Sequence, residues 1–240
     1  MALDIVPVPA FADNYIWLAR DPASGHTAVI DPGDGEAALA GAEAHGWTID
    51  TILITHWHPD HTGGIGTVKA ATGAPVFGPE AERSRFAGLD HGLADGDRVA
   101  IGEGEAAVWH VPGHTLGHIA FVFDGVAFVG DTLFAMGCGR LFEGTPEQMH
   151  GSLQRIAALP DDTLLYPAHE YTLSNARFAA HVLPDDDAVR GRHDMTVQQR
   201  MRGDITLPTR VAEEKATNPF VRAASTEEFA RLRALKDHFA

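Results

Sequence analysis

The chain is expected to be an α/β protein whose final quarter is helical, and three observations carry that expectation. Short apolar runs alternate with helical stretches up to about residue 172. From about residue 173 such runs stop, and helices joined by Pro-containing turns at Pro184, Pro208 and Pro219 take over. Finally, His and Asp residues recur at or just past the ends of the apolar runs, the place where a buried strand delivers its side chains.

The elements follow in order. Strands are expected at 28–30, 51–54, 75–77, 108–111, 119–123 and 127–129, each short, apolar and bounded by turn residues. Asp124-Gly125 between two apolar runs marks a hairpin. Helices are expected at 35–45 and 146–158, the second with Thr145 as N-cap and Pro146 at its first position. Near the end, Ser225-Thr226-Glu227-Glu228 has the capping-box pattern, and Phe229, Leu232, Leu235 and Phe239 form an apolar stripe at helical spacing. There is no internal repeat and no low-complexity tract.

The densest chemistry lies in Thr55-His56-Trp57-His58-Pro59-Asp60-His61, directly after the apolar Thr51-Ile52-Leu53-Ile54. If the strand continues, His56 and His58 point the same way and can grip one cation. Asp60 and His61 come just past it, where Thr62-Gly63-Gly64 turns into a helix. Neutral imidazole is a common ligand for zinc and other borderline metals. Three further candidates lie beside apolar runs: His114 in Gly113-His114-Thr115-Leu116-Gly117-His118, Asp131 in Gly130-Asp131-Thr132, and His169 in Pro167-Ala168-His169-Glu170. Five His and two Asp suffice for two metals if one carboxylate bridges. Asp131 is the better bridge, because a carboxylate has two oxygens to offer.

The pattern His-x-His-x-Asp-His, Gly-His-Thr-x-Gly-His, Gly-Asp-Thr and a late His resembles the metallo-β-lactamase-like superfamily. Within it the chain is similar to the hydroxyacylglutathione hydrolases (glyoxalase II). The residues that carry this are Asp13-Asn14-Tyr15, Gly130-Asp131-Thr132-Leu133-Phe134 and 137–145, then His169-Glu170-Tyr171-Thr172 and Thr217-Asn218-Pro219-Phe220-Val221-Arg222. The resemblance implies a four-layered αββα sandwich over 1–172 and a helical glutathione-binding domain over 173–240. It implies two divalent ions, zinc foremost with iron or manganese as alternatives, held by His56, His58, Asp60, His61, His114, Asp131 and His169. The implied reaction is hydrolysis of S-D-lactoylglutathione to glutathione and D-lactate by a metal-bridging hydroxide, the second step of methylglyoxal detoxification. Asp60 orients that hydroxide and takes its proton, with Asp131 the other catalytic carboxylate. Arg140, Phe142, Tyr171, Arg233 and Lys236 match substrate-contacting positions, the last two holding the glycine carboxylate of glutathione. Relatives often carry Lys and Tyr where this chain has Arg140 and Phe142, so one phenolic hydrogen bond to the tripeptide is expected to be absent.

Other residues are assigned lesser tasks. Asp31 resembles a buried structural Asp that fixes a loop, His118 a hydrogen-bonding neighbour of the ligands, and His110 a structural residue. Cys138 lies in a Gly-flanked loop and is neither ligand nor nucleophile. A solvated basic last turn is the plainer reading of Arg233 and Lys236, and the family match outweighs it.

Composition bounds the rest. A chain of 240 residues with 45% hydrophobic content can bury a full core. Its single Cys excludes an internal disulfide and is compatible with a reducing cytoplasm. No leader is read at Met1-Ala2-Leu3-Asp4-Ile5 and no run is long enough to span a bilayer, so a cytoplasmic protein without a membrane partner is expected; a monomer is expected as well. A net charge of −15 with no basic stripe argues against nucleic acid. Two readings compete with the hydrolase: a mononuclear-iron enzyme of the persulfide dioxygenase kind, and a non-catalytic metal-binding scaffold. The first would hold one iron per chain and would not need the long helical tail; the second would show no thioesterase activity.

Overall fold

The computed structural model describes residues 3–239; Met1 and Ala2, read above for a leader, lie outside them. Its backbone divides into two compact units. The first runs to His110 and includes Gly117–Gly130; the second is Val111–Leu116 together with the chain from Asp131 onwards.

The first unit contains β1 (Asp4–Ala10), β2 (Asn14–Arg20), β3 (Thr27–Ile30), α1 (Gly35–Ala44), β4 (Thr51–Leu53), α2 (Pro59–Thr62), α3 (Ile65–Thr72), β5 (Val76–Pro79) and β6 (His91–Leu93), followed by β7 (Arg98–Ile101), β8 (Gly104–His110), β9 (Ile119–Phe123) and β10 (Val126–Gly130). The strands β1, β2 and β3 pair antiparallel, and β3, β4, β5 and β6 continue the same sheet in parallel. An antiparallel meander of β7, β8, β9 and β10 makes a second array.

All three residues of β4 are buried, because parallel partners flank it on both edges and its faces are covered, which is why it reads as a continuous apolar run. Ile52 packs with Val8, Ile16, Leu18, Val29, Val68 and Val76, each such side chain contributing roughly 1.5–3 kcal/mol on burial. Small residues Ala38 and Ala42 give α1 its buried face, and Asp34 caps it by accepting from Ala37 N at 3.0 Å. The Asp124-Gly125 hairpin forms as expected, with Gly125 at φ 74°.

The second unit contains β11 (Leu133–Phe134), β12 (Gly137–Cys138), α4 (Pro146–Ala157), β13 (Leu164–Pro167), α5 (Thr172–Val182), α6 (Asp187–Met201), β14 (Thr209–Arg210), α7 (Val211–Thr217) and α8 (Thr226–Asp237). Thr145 and Gln148 form a full capping box on α4. The helices pack through Phe178, stacked on Phe220 at 5.7 Å, and Phe220 against Phe229 at 5.9 Å.

Three local expectations need correction. A strand does occur after residue 173: β14 pairs antiparallel with β13, Leu164 with Arg210 and Leu165 with Thr209, a long-range pairing that no local pattern encodes. The strand expected at 108–111 ends at His110, and the one at 51–54 ends at Leu53. In α8 the apolar stripe is incomplete, since Leu235 is 46% exposed while Arg233 is buried beside Phe229 and Leu232. Among the described residues, no helix is long and apolar enough to cross a membrane.

Candidate active site

In the first unit the loop that carries His56, His58, Asp60 and His61 is built on Asp31. Its carboxylate accepts from Thr55 N at 2.7 Å and from Thr55 Oγ1 at 2.7 Å, and lies 3.0 Å from His61 Nδ1. Because the Thr55 hydroxyl gives its proton to Asp31, it must accept from His56 Nδ1, 3.1 Å away. The His56 ring is thereby held with Nδ1 protonated and Nε2 as a lone-pair donor. Asp31 thus fixes the loop, as expected, and orients His56 through the Thr55 hydroxyl.

His56 Nε2 faces His58 Nδ1 at 3.1 Å. Strand alternation is not what brings them together, since β4 stops at Leu53. The loop does it, closed by α2, a single turn with Pro59 at its first position. That turn carries Asp60 and His61, correcting the expectation that both precede the helix. Asp60 Oδ2 lies 3.4 Å from His61 Nε2 and accepts from Asn14 Nδ2 at 3.0 Å. Gly33 is obligatory here: a Cβ on it would lie 1.7 Å from the Asp60 carbonyl oxygen. His118 is fully buried and stacks on His56 at 4.6 Å.

Buried Glu82 grips the same loop. It accepts from Trp57 N at 2.7 Å and from Gly117 N at 3.0 Å. Nothing in Pro79-Glu80-Ala81-Glu82 distinguishes it from a solvated acidic turn, so no sequence signal could have found it.

In the second unit Asp131 stands between two histidines. Its Oδ2 is 3.4 Å from His114 Nε2 and 3.4 Å from His169 Nε2. His114 Nδ1 is 2.9 Å from the Arg140 carbonyl oxygen, which can only accept, so Nε2 again carries the lone pair. Gly139 permits this, for a Cβ there would lie 2.0 Å from the Asp131 carbonyl oxygen. His169 is stacked on Tyr171 at 4.7 Å and 6°. His110 sits at the exposed end of β8.

The substrate candidates divide sharply by burial. Phe142 is 60% exposed and meets His114 edge-on at 5.3 Å. Arg140 lies over Phe142 at 5.9 Å and 3.3 Å from Asp237. Arg233, only 6% exposed, donates to the Cys138 carbonyl at 2.9 Å and to Asp237 at 2.9 Å. Lys236 reaches Ser174 Oγ at 2.9 Å, and partial burial, reinforced by Arg233, lowers its pKa. Burial pushes the Cys138 thiol up to about 11, which agrees with its exclusion as a nucleophile.

These donors suit a metal. In each unit they are imidazoles and carboxylates whose N and O atoms face one another at 3.1–3.4 Å. A tetrahedral ion with donors at about 2.0–2.2 Å sets neighbouring donor atoms roughly 3.4 Å apart. All seven candidates belong to His and Asp groups able to hold a metal ion.

Residues 11–169 match the metallo-β-lactamase superfamily, and residues 170–239 match the hydroxyacylglutathione hydrolase C-terminus. A protein named hydroxyacylglutathione hydrolase from Pseudomonas fluorescens (strain SBW25) is 48% identical, over 99% of this chain and 100% of that one. The chain belongs to the hydroxyacylglutathione hydrolase family. The expected α/β metallo-β-lactamase-like fold with a helical C-terminal region is the one found. ETHE1 from Myxococcus xanthus shares it at 27% identity and a TM-score of 0.74, covering 98% of this chain and 90% of that one. So does TTHA1623, solved in a di-iron-bound form, at 25% identity and a TM-score of 0.64, covering 90% of this hydrolase-family chain and 99% of that one.

Proposed function

We propose that this protein hydrolyses the thioester of S-D-lactoylglutathione and related 2-hydroxyacylglutathiones, releasing glutathione and the hydroxy acid, a step of methylglyoxal detoxification. The observation that carries it is the near-half identity to a hydroxyacylglutathione hydrolase along almost the entire length of both chains, C-terminal region included. The ETHE1 likeness, at 27% identity, is the weaker of the two.

Two divalent ions, zinc foremost, would be held by His56, His58, Asp60, His61, His114, Asp131 and His169, with Asp131 shared. Donor chemistry and oriented rings in each unit support this reading. Bound there, such ions lower the pKa of water from about 15.7 to about 7 and polarise a carbonyl.

The chain's own residues do the rest. Asp60, steadied by Asn14, takes the proton of the attacking water. A new C–O bond forms as the C–S bond breaks, and the thiolate leaves with the electron pair. Free thiols have a pKa near ~8.5, so expulsion needs no strong general acid. Arg140, Phe142 and Tyr171 line the approach to His114 and His169, while Lys236 and Arg233 supply positive charge for the glycine carboxylate. We assign catalysis to 1–172 and glutathione binding to 173–240, in a cytoplasmic monomer.

Elemental analysis of protein purified without added metal, followed by assay on S-lactoylglutathione, tests the proposal. Two ions per chain and thioester cleavage are expected. One iron per chain with no cleavage would favour the dioxygenase-like reading and sink this one.

A further inference from the structure

The segment 131–140 carries Asp131 at one end and, at the other, the Arg140 carbonyl that orients His114. Between them lies the β11–β12 hairpin, which has only two residue pairs, Leu133 with Cys138 and Phe134 with Gly137. A ribbon that short does not hold its shape unaided. Its apex also contains Met136 at φ 57°, a left-handed conformation costly for a non-glycine residue.

Side chains from the helical region hold it. Asn175 Nδ2 donates to the Ala135 carbonyl at 3.2 Å, Asn218 Nδ2 to the Gly137 carbonyl at 2.9 Å, and Arg233 to the Cys138 carbonyl at 2.9 Å. At the strained residue itself, Met136 N donates to Glu214 Oε2 at 2.9 Å. Glu214 is buried and accepts three more bonds: from Asn218 Nδ2 at 2.8 Å, Arg192 Nη2 at 2.6 Å and Thr209 Oγ1 at 2.6 Å.

We propose that Glu214 is a positioning residue for metal binding: by holding the strained apex of the hairpin, it sets Asp131 and the carbonyl that aims His114. The proposal rests on the reading of Asp131 and His114 as metal ligands. A carboxylate is required because each of its oxygens faces a group that can only donate, Met136 N and Asn218 Nδ2 on one side and Arg192 Nη2 on the other. A glutamine of the same size must turn its NH2 toward one side or the other, donor against donor.

The test is zinc affinity, measured by titrating chelator-stripped protein against a competing zinc indicator, at a temperature where circular dichroism shows every variant folded. Glu214→Gln should bind zinc about tenfold to a hundredfold more weakly than wild type, the usual range when a group supporting a ligand is lost. Asn175→Ala, which removes one anchor of the same hairpin, should weaken zinc binding by a smaller factor and carries the test if Glu214→Gln does not fold. Leu18→Ala, a core change in the first sheet, should lower the unfolding midpoint and leave zinc affinity unchanged. Wild-type affinity in Glu214→Gln overturns the proposal, as does an equal loss in Leu18→Ala, which would mean that general destabilisation is enough. A wild-type protein that binds no zinc removes the ligand reading itself, a result separable from the other two.

Discussion

Asp131 Oδ2 is equidistant from two imidazoles, 3.4 Å from His114 Nε2 and 3.4 Å from His169 Nε2. One carboxylate oxygen thus faces two donors held by different parts of the chain, His114 in the loop after β8 and His169 just past β13. Removing that carboxylate should open two coordination shells at once. Asp131→Ala is expected to lose both ions, whereas His114→Ala and His169→Ala each weaken mainly one. Two tightly bound ions in Asp131→Ala, with native activity, would refute the shared position.

Lys236 and Arg233, paired by the family resemblance, should behave differently when mutated. Lys236 reaches the side chain and carbonyl of Ser174 and lies over the Phe178 and Phe239 rings, so Lys236→Ala should raise KM severalfold to about tenfold with little change in kcat, a charged hydrogen bond being worth about 1.5–3 kcal/mol at most. Arg233 is buried and also supports the Cys138 carbonyl, so Arg233→Ala should additionally lower the unfolding midpoint. Kinetics with S-lactoylglutathione and with a thioester lacking the glycine carboxylate separate the effects. The Lys236 penalty should vanish for the truncated substrate; a penalty of full size there would restore the solvated-face reading.

Cys138 should resist alkylation. Burial pushes its thiol up to about 11, leaving little thiolate at pH 8, and reactivity follows the thiolate. Iodoacetamide is expected to label it only when denaturant is added. Rapid labelling of the folded protein would show that the β12 segment opens.

Asp21 predicts a pH dependence in the first unit. It accepts from Ser24 Oγ, Glu103 N and Ala23 N, and these bonds, that of Ser24 foremost, lower its pKa to about 2. The unfolded value is near ~3.9, so the folded state binds the proton more weakly and the group stabilises above that value. The contribution fades as pH falls toward about 2. Asp21→Asn should therefore lower the unfolding midpoint at neutral pH, and its difference from wild type should shrink on acidification from about 4 to about 2. A gap that stays constant across that window would mean that shape, not charge, is what Asp21 provides.

The sequence alone determined which residues could bind metal and where the main strands and caps lie. Those signals are local: an apolar run before Thr55-His56, a Thr-Pro-x-Gln cap at α4, a Gly-Asp-Thr turn at Asp131. Imidazole spacing and turn chemistry are readable from neighbours a few positions apart. Only the tertiary structure decided how the candidate side chains are aimed. The histidine tautomers rest on partners 25 and 26 residues distant, Asp31 through the Thr55 hydroxyl for His56 and the Arg140 carbonyl for His114. Buried Glu82 and Glu214 look in sequence like any surface acid, because what separates them is a set of backbone and side-chain donors brought in by folding. Likewise Arg233 falls where the apolar stripe of α8 continues in sequence, yet it is buried and Leu235 is exposed, since a carbonyl at Cys138 and a carboxylate at Asp237 are there to receive it. A buried charge is tolerated only where such partners exist, and their presence is a property of the fold.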